Sequence, residues 1–197
     1  MSVVKITQIG SKIAFVGQSY SKQNELANLL CKIFFQKGEN YLKFSISDPV
    51  KTIAKEEYFT DDRLLCLAIS SQVRKVKPSH WMDILKKKLE TVDESCHIVI
   101  DDVCSQYDAV ELSTMGFKLV NVNIAWMERF NNLMHSSSSD RSFRNTVKAF
   151  HYDTPDTLPD YIWDYKIKSI DEKYNLMYQL SGYNKNEVVA VENDHCV

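Results

Sequence analysis

No two cysteines in this chain are spaced to grip a metal. Cys31, Cys66, Cys96, Cys104 and Cys196 stand singly, with no Cys-x-x-Cys pair and no Cys/His group at zinc spacing. An odd count without a secretory leader points to free thiols in a reducing, cytosol-like compartment. No apolar run approaches the ~18 residues of a membrane span, so no membrane is expected as a partner. The formal net charge of -2 offers no strong basic field, and no nucleic acid is expected either. No internal repeat occurs. What is present is a chain of 197 residues, 44% hydrophobic and 25% charged, long enough for one domain with a sizeable core.

Lys12 to Val16, closed by Gly17, is a short apolar run and reads as a buried strand. Leu26, Leu29, Leu30, Ile33 and Phe34 recur at helical spacing and predict a helix over Glu25 to Phe35, stopped at Gly38. Tyr41 to Ile46 alternates as a strand. Asp48 and Pro49 then read as the N-cap and first residue of a helix. Further helices are expected over Asp61 to Val73 and over Ser79 to Leu89, the latter with Ser79 as cap and Lys86, Lys87 and Lys88 near its negative end. His97 to Asp102 is an apolar strand ending in two carboxylates. A helix over Tyr107 to Met115 stops at Gly116, and Phe117 to Ile124 is a strand. Asn131 to Arg144, with four serines from Ser136 to Ser139, reads as a mobile polar loop. A short strand at Tyr165 to Ile167 and a helix over Glu172 to Leu180 complete a domain over residues 1–183. Residues from Asn184 read as a loose tail.

Strands alternating with helices imply an α/β fold with a mainly parallel sheet covered on both faces. Ligands on such sheets bind at the carboxyl ends of the strands. Three turns fall there: Gly17 to Glu25, Ser47 to Lys51, and Asp101 to Cys104.

In order and spacing, these turns resemble the phage-type deoxynucleoside monophosphate kinases, phosphate-loop kinases related to phosphomevalonate kinase. The resemblance runs from about residue 12 to about residue 180. The family's G-K-x-x-S-G-K-D-T loop is similar to Gly17-Gln18-Ser19-Tyr20-Ser21-Lys22-Gln23-Asn24-Glu25. Its A-D-P-L-K turn is similar to Ser47-Asp48-Pro49-Val50-Lys51. Its arginine-leucine helix start resembles Arg63-Leu64, and its tryptophan-centred start resembles Trp81. Its strand ending in D-x-R is similar to Ile98 to Cys104. Its H-x-x-E and late D-x-x-I elements resemble His151 with Asp156, and Asp164 to Ile167. The resemblance implies a three-layer phosphate-loop kinase fold, a lid over about 129–150 lending Arg129, Arg141 and Arg144, and, for an active member, ATP and Mg2+. The family is frequent in phages and large DNA viruses, which implies the host cytoplasm or a virion as the setting.

The chain departs from the family where the chemistry lies. A working loop needs a glycine for its tight curl, a lysine on the phosphates and a hydroxyl for Mg2+. Those positions hold Lys22, Gln23 and Glu25. Lysine does not take positive φ freely, glutamine brings no charge, and a carboxylate at Glu25 repels phosphate. Cys104 stands where the family has an arginine able to clamp a phosphate. Asp101 and Asp102 either bind Mg2+ or its water or cap a neighbouring turn. Asp48, Lys51, Arg63 and Arg74 either face an anionic ligand in the cleft or are ordinary solvated charges. Trp81, Trp126 and Trp163 read as core or cleft-wall aromatics. Two functions are expected: a degenerate pseudo-enzyme kept for binding or assembly, with another chain or itself as partner, or an active deoxynucleoside monophosphate kinase. For the active enzyme, Lys22, Asp101 and Asp102 are the catalytic candidates. A third is an enzyme of related fold acting on a small phosphorylated acid.

Overall fold

Five short strands pair side by side into one parallel sheet in the order β2-β3-β1-β4-β5. The computed structural model describes residues 10–18, 20–136, 162–182 and 188–191. The strands are β1 (Lys12–Gly17), β2 (Tyr41–Phe44), β3 (His97–Val103), β4 (Lys118–Val122) and β5 (Tyr165–Ile167). The helices are α1 (Gln23–Gln36), α2 (Asp48–Tyr58), α3 (Arg63–Val76), α4 (His80–Leu89), α5 (Gln106–Thr114), α6 (Trp126–Ser136) and α7 (Lys173–Ser181). Successive side chains of a strand point to opposite faces, and β1 shows the result. Ile13 and Phe15 join a core with Leu26, Leu30 and Phe34 of α1 and Leu176 and Met177 of α7. Ala14 and Val16 join a second core with Val50 of α2, Trp81 and Leu85 of α4, and Leu112 of α5. Helices therefore cover both faces, and the carboxyl ends of the strands meet at one edge.

The expected order of elements is the observed one, with local corrections. β2 stops at Phe44 and its residues are half-buried or exposed, because it is the sheet edge; Ser45 and Ile46 belong to the turn. Ser47, not Asp48, holds the cap position of α2, without a side-chain cap bond. α3 starts at Arg63, with Asp62 as its cap through Leu64 N at 2.8 Å and Leu65 N at 3.1 Å. Asn131 to Ser136 is helical, the end of α6, where the polar run suggested a loop. Leu133 is buried and Phe130 stacks on Trp126 with ring centroids 5.2 Å apart; these apolar positions lie one turn apart among polar residues. Residues 188–191 of the expected tail are helical, and Val188 and Val191 are buried in the α1–α7 core. Trp81 is a core residue and Trp163 packs on the same core, whereas Trp126 is 53% exposed. Arg141, Arg144, His151 and Asp156 lie outside the described residues.

At the opposite edge of the sheet, His97 closes the start of β3. Its Nδ1 accepts the Ser11 N–H at 3.0 Å, and its ring stacks on Phe34 at 4.1 Å. Burial pulls its pKa below the ordinary 6.5, against the pull of Glu39 and with the help of Lys37. The unfolded chain thus takes up the proton first. Stability is fully present above pH 6.5 and falls as the pH drops from there toward the lower folded value. Urea midpoints at neutral and mildly acid pH measure this slope, and His97→Gln flattens it.

Candidate functional site

The three turns converge on a cleft of about 640 Å³ at the carboxyl edge of the sheet. Gly17, Lys22, Gln23, Asn24, Glu25, Lys51, Arg63, Arg74, Asp101, Asp102 and Cys104 line it, so the structure brings most of the candidate residues together. Ser21 lies buried beneath the loop, and Asp48 is outside the lining, paired with Lys51 at 3.5 Å. Tyr20, Lys55, Cys66 and Leu67 are further wall residues that motif reasoning did not find; Lys51 and Lys55 stand one turn apart on α2, which was the available signal.

The loop keeps a tight curl without the glycine. Lys22 has φ 67° and ψ 23°, the left-handed region, and Tyr20 has φ 62°. Each such residue costs about 1–2 kcal/mol. Gly17 is required by space, since a Cβ there would lie 2.8 Å from both Ser21 Oγ and the Val122 carbonyl oxygen. Lys22→Gly relieves the strain at its position and is expected to raise stability by about 0.5–1 kcal/mol, the gain being reduced by glycine's freedom in the unfolded chain. A denaturation midpoint that falls would contradict this reading of the loop.

Gln23 is the informative residue. Its Nε2 donates toward three backbone carbonyls: Gly17 at 3.1 Å, Val103 at 3.1 Å and Phe15 at 3.3 Å. Three acceptors fix which end of the amide faces inward. The side chain ties the ends of β1 and β3 together beneath the loop. The neighbouring cation, Lys22, pairs with Glu25 at 3.2 Å.

The carboxylates after β3 are engaged too. Asp102 accepts from Ile46 N at 2.7 Å and Ser47 N at 2.9 Å, so it caps the turn before α2 from the neighbouring strand. Burial raises its pKa against the lowering effect of the Ser47 hydrogen bonds. Asp101 accepts from Ser45 Oγ and pairs with Lys43 at 3.0 Å. Among the described residues, no group of three His, Cys, Asp or Glu side chains is arranged to hold a metal ion. Magnesium triphosphate, which the resemblance implies for an active member, does not fit these donors as arranged: the loop cation is neutralised and both carboxylates already have partners.

On the far wall, Arg74 of α3 forms a two-pronged pair with Asp108 of α5, at 3.0 Å and 2.7 Å. Burial disfavours its charge, but Asp108 outweighs this and raises the pKa. Arg63 lies over the Tyr20 ring at 5.3 Å, and both line the cleft. Arg129 is buried on α6 and donates to Gln18 of the loop, and Asn132 donates to Tyr20 O at 3.0 Å. Cys104 is exposed, none of the described cysteines forms a disulfide, and burial pushes the Cys31 thiol up to about 11.

No protein-family model and no curated protein matches the chain in sequence. In three dimensions, 95% of it matches 99% of the Mycobacterium tuberculosis APS kinase CysC, solved in complex with AMPPNP and APS, with a TM-score of 0.51 at 13% identity. It also matches 97% of the structure of APE1195 over 93% of this chain, with a TM-score of 0.51 at 11% identity. At such identities the fold is what is shared. The chain has the fold of the phosphate-loop kinases, with a five-stranded parallel sheet between helices.

Proposed function

We propose that this protein is a degenerate nucleoside monophosphate kinase-like protein, kept for binding or assembly and no longer a phosphoryl-transfer enzyme. The observation that carries this reading is the Gln23 amide, which holds three strand-end carbonyls at the place where the resemblance puts the loop lysine. Phosphoryl transfer depends on positioning and on neutralising the charge of the phosphates. A neutral side chain engaged elsewhere does neither, and Glu25 and Cys104 remove the other two contributions. The test is transfer of labelled γ-phosphate from ATP to each deoxynucleoside monophosphate. The expected result is none above background; turnover abolished by Gln23→Ala would overturn the reading.

A second reading, an active deoxynucleoside monophosphate kinase, is favoured by one observation. Lys22 keeps the left-handed backbone of the loop, and its ammonium lies one residue from the usual place. Under that reading, Glu25→Thr frees Lys22 and raises turnover; under the first, it leaves the protein inactive.

A further inference from the structure

From Lys55 to His80 no residue is buried, and none between Ala54 and Cys66 belongs to either core. The end of α2, the turn at Phe59 and the start of α3 therefore lie outside both cores. Yet Lys55, Asp61 and Arg63 of this stretch line the cleft, so it forms one of the walls. A segment with so few buried apolar contacts opens at low free energy.

The two halves of α3 are tied to the domain differently. Its second half rests Ile69 and Val73 on the core of Trp81 and Leu112. It also accepts at Ser70 O from Trp81 Nε1 at 3.5 Å and pairs Arg74 with Asp108 at 2.7 Å. Its first residue meets the loop instead, where the Arg63 guanidinium lies over the Tyr20 ring at 5.3 Å, within cation–π range. Arg63 stands about 16 Å along the helix from Arg74. Tyr20 is itself held in place. Its backbone is left-handed, with φ 62°, and its carbonyl accepts from Asn132 Nδ2 of α6 at 3.0 Å. Thus α6 fixes the backbone of Tyr20 while the ring meets α3.

We propose that Tyr20 is a latch that holds the start of α3 against the loop, and that the cleft opens when its ring and Arg63 part. The Arg74 end of the helix is the pivot and the Arg63 end is the part that moves. The proposal rests on the fold and these contacts, so it stands whether or not the cleft transfers phosphate. Cys66 reports the motion. It lines the cleft on α3 and is half-buried, and burial raises its pKa, so opening speeds its alkylation.

Maleimide labelling of the full chain under native conditions, read at each cysteine by mass spectrometry, tests it. Tyr20→Ala and Arg63→Ala are each expected to speed labelling of Cys66 about two- to fivefold, the worth of an exposed cation–π contact. The double variant labels no faster than either single one, because both remove the same contact. Tyr20→Phe keeps the ring and leaves the rate unchanged. Asn132→Ala speeds labelling as well, although α6 gives no residue to the cleft lining. Rates that these changes leave untouched, additive effects of the two substitutions, or an equal rise at the buried Cys31 and Cys96 would each overturn the proposal.

Discussion

Arg74→Ala lowers the stability of the protein by about 3–5 kcal/mol, the cost of leaving one member of a buried ion pair alone. Asp108 is the member left behind. Its side chain is 1% exposed, against 22% for Arg74, and both its oxygens lose their charged partner. The effect spreads because α3 has no buried residue of its own. Beyond Arg74, it is held by contacts such as that of Trp81 Nε1 with Ser70 O at 3.5 Å. Loosening α3 also opens the cleft wall formed by Arg63 and Cys66. Replacing both partners together, Arg74→Met with Asp108→Leu, recovers most of the loss, since an apolar pair carries no desolvation penalty. Urea unfolding of the single and double variants measures both quantities. A single variant within about 0.5 kcal/mol of the parent would mean that the pair behaves as a surface bridge.

Gln23→Glu is nearly isosteric and is expected to cost about 3 kcal/mol or more. A carboxylate accepts and does not donate, so three carbonyl oxygens would face an anion with no proton between them. Gln23→Ala removes the donors without adding charge and costs less, about 1–3 kcal/mol. The order of the two variants is the test. If the amide merely filled space, alanine would be the worse one. The glutamate variant also regains stability in acid, once its carboxyl is protonated and can donate. That reversal distinguishes lost hydrogen bonds from lost packing.

The fold could be read from the chain because its signals are local. The apolar run from Lys12 closed by Gly17, the helical spacing of Leu26, Leu30 and Phe34, and the Asp48-Pro49 helix start are each contained within a few residues. α6 was hidden because Asn131, Asn132, His135 and Ser136 made its second half look like a loop, while the burial of Leu133 and Arg129 is a tertiary fact. In the same way, the positions of the cleft residues followed from the turns, but their partners did not. Gln23 meets Val103 across 80 residues, Asp102 meets Ile46 across 56, and Arg74 meets Asp108 across 34. Sequence alone left Asp102 between metal ligand and turn cap; the two backbone N–H groups of Ile46 and Ser47 from which it accepts come from a turn 56 and 55 residues away, which no local pattern could show. The lysine at the glycine position was read as a steric obstacle, yet Lys22 adopts the left-handed conformation, so the curl of the loop survives.

Under the proposed reading, this loop does not hold a magnesium triphosphate. Calorimetric titration with a non-hydrolysable ATP analogue, with and without Mg2+, tests it most directly. The account predicts no binding at millimolar ligand in either condition. Micromolar binding that requires Mg2+ would contradict it, and would mean that Gln23 and Glu25 yield their present partners to the phosphates.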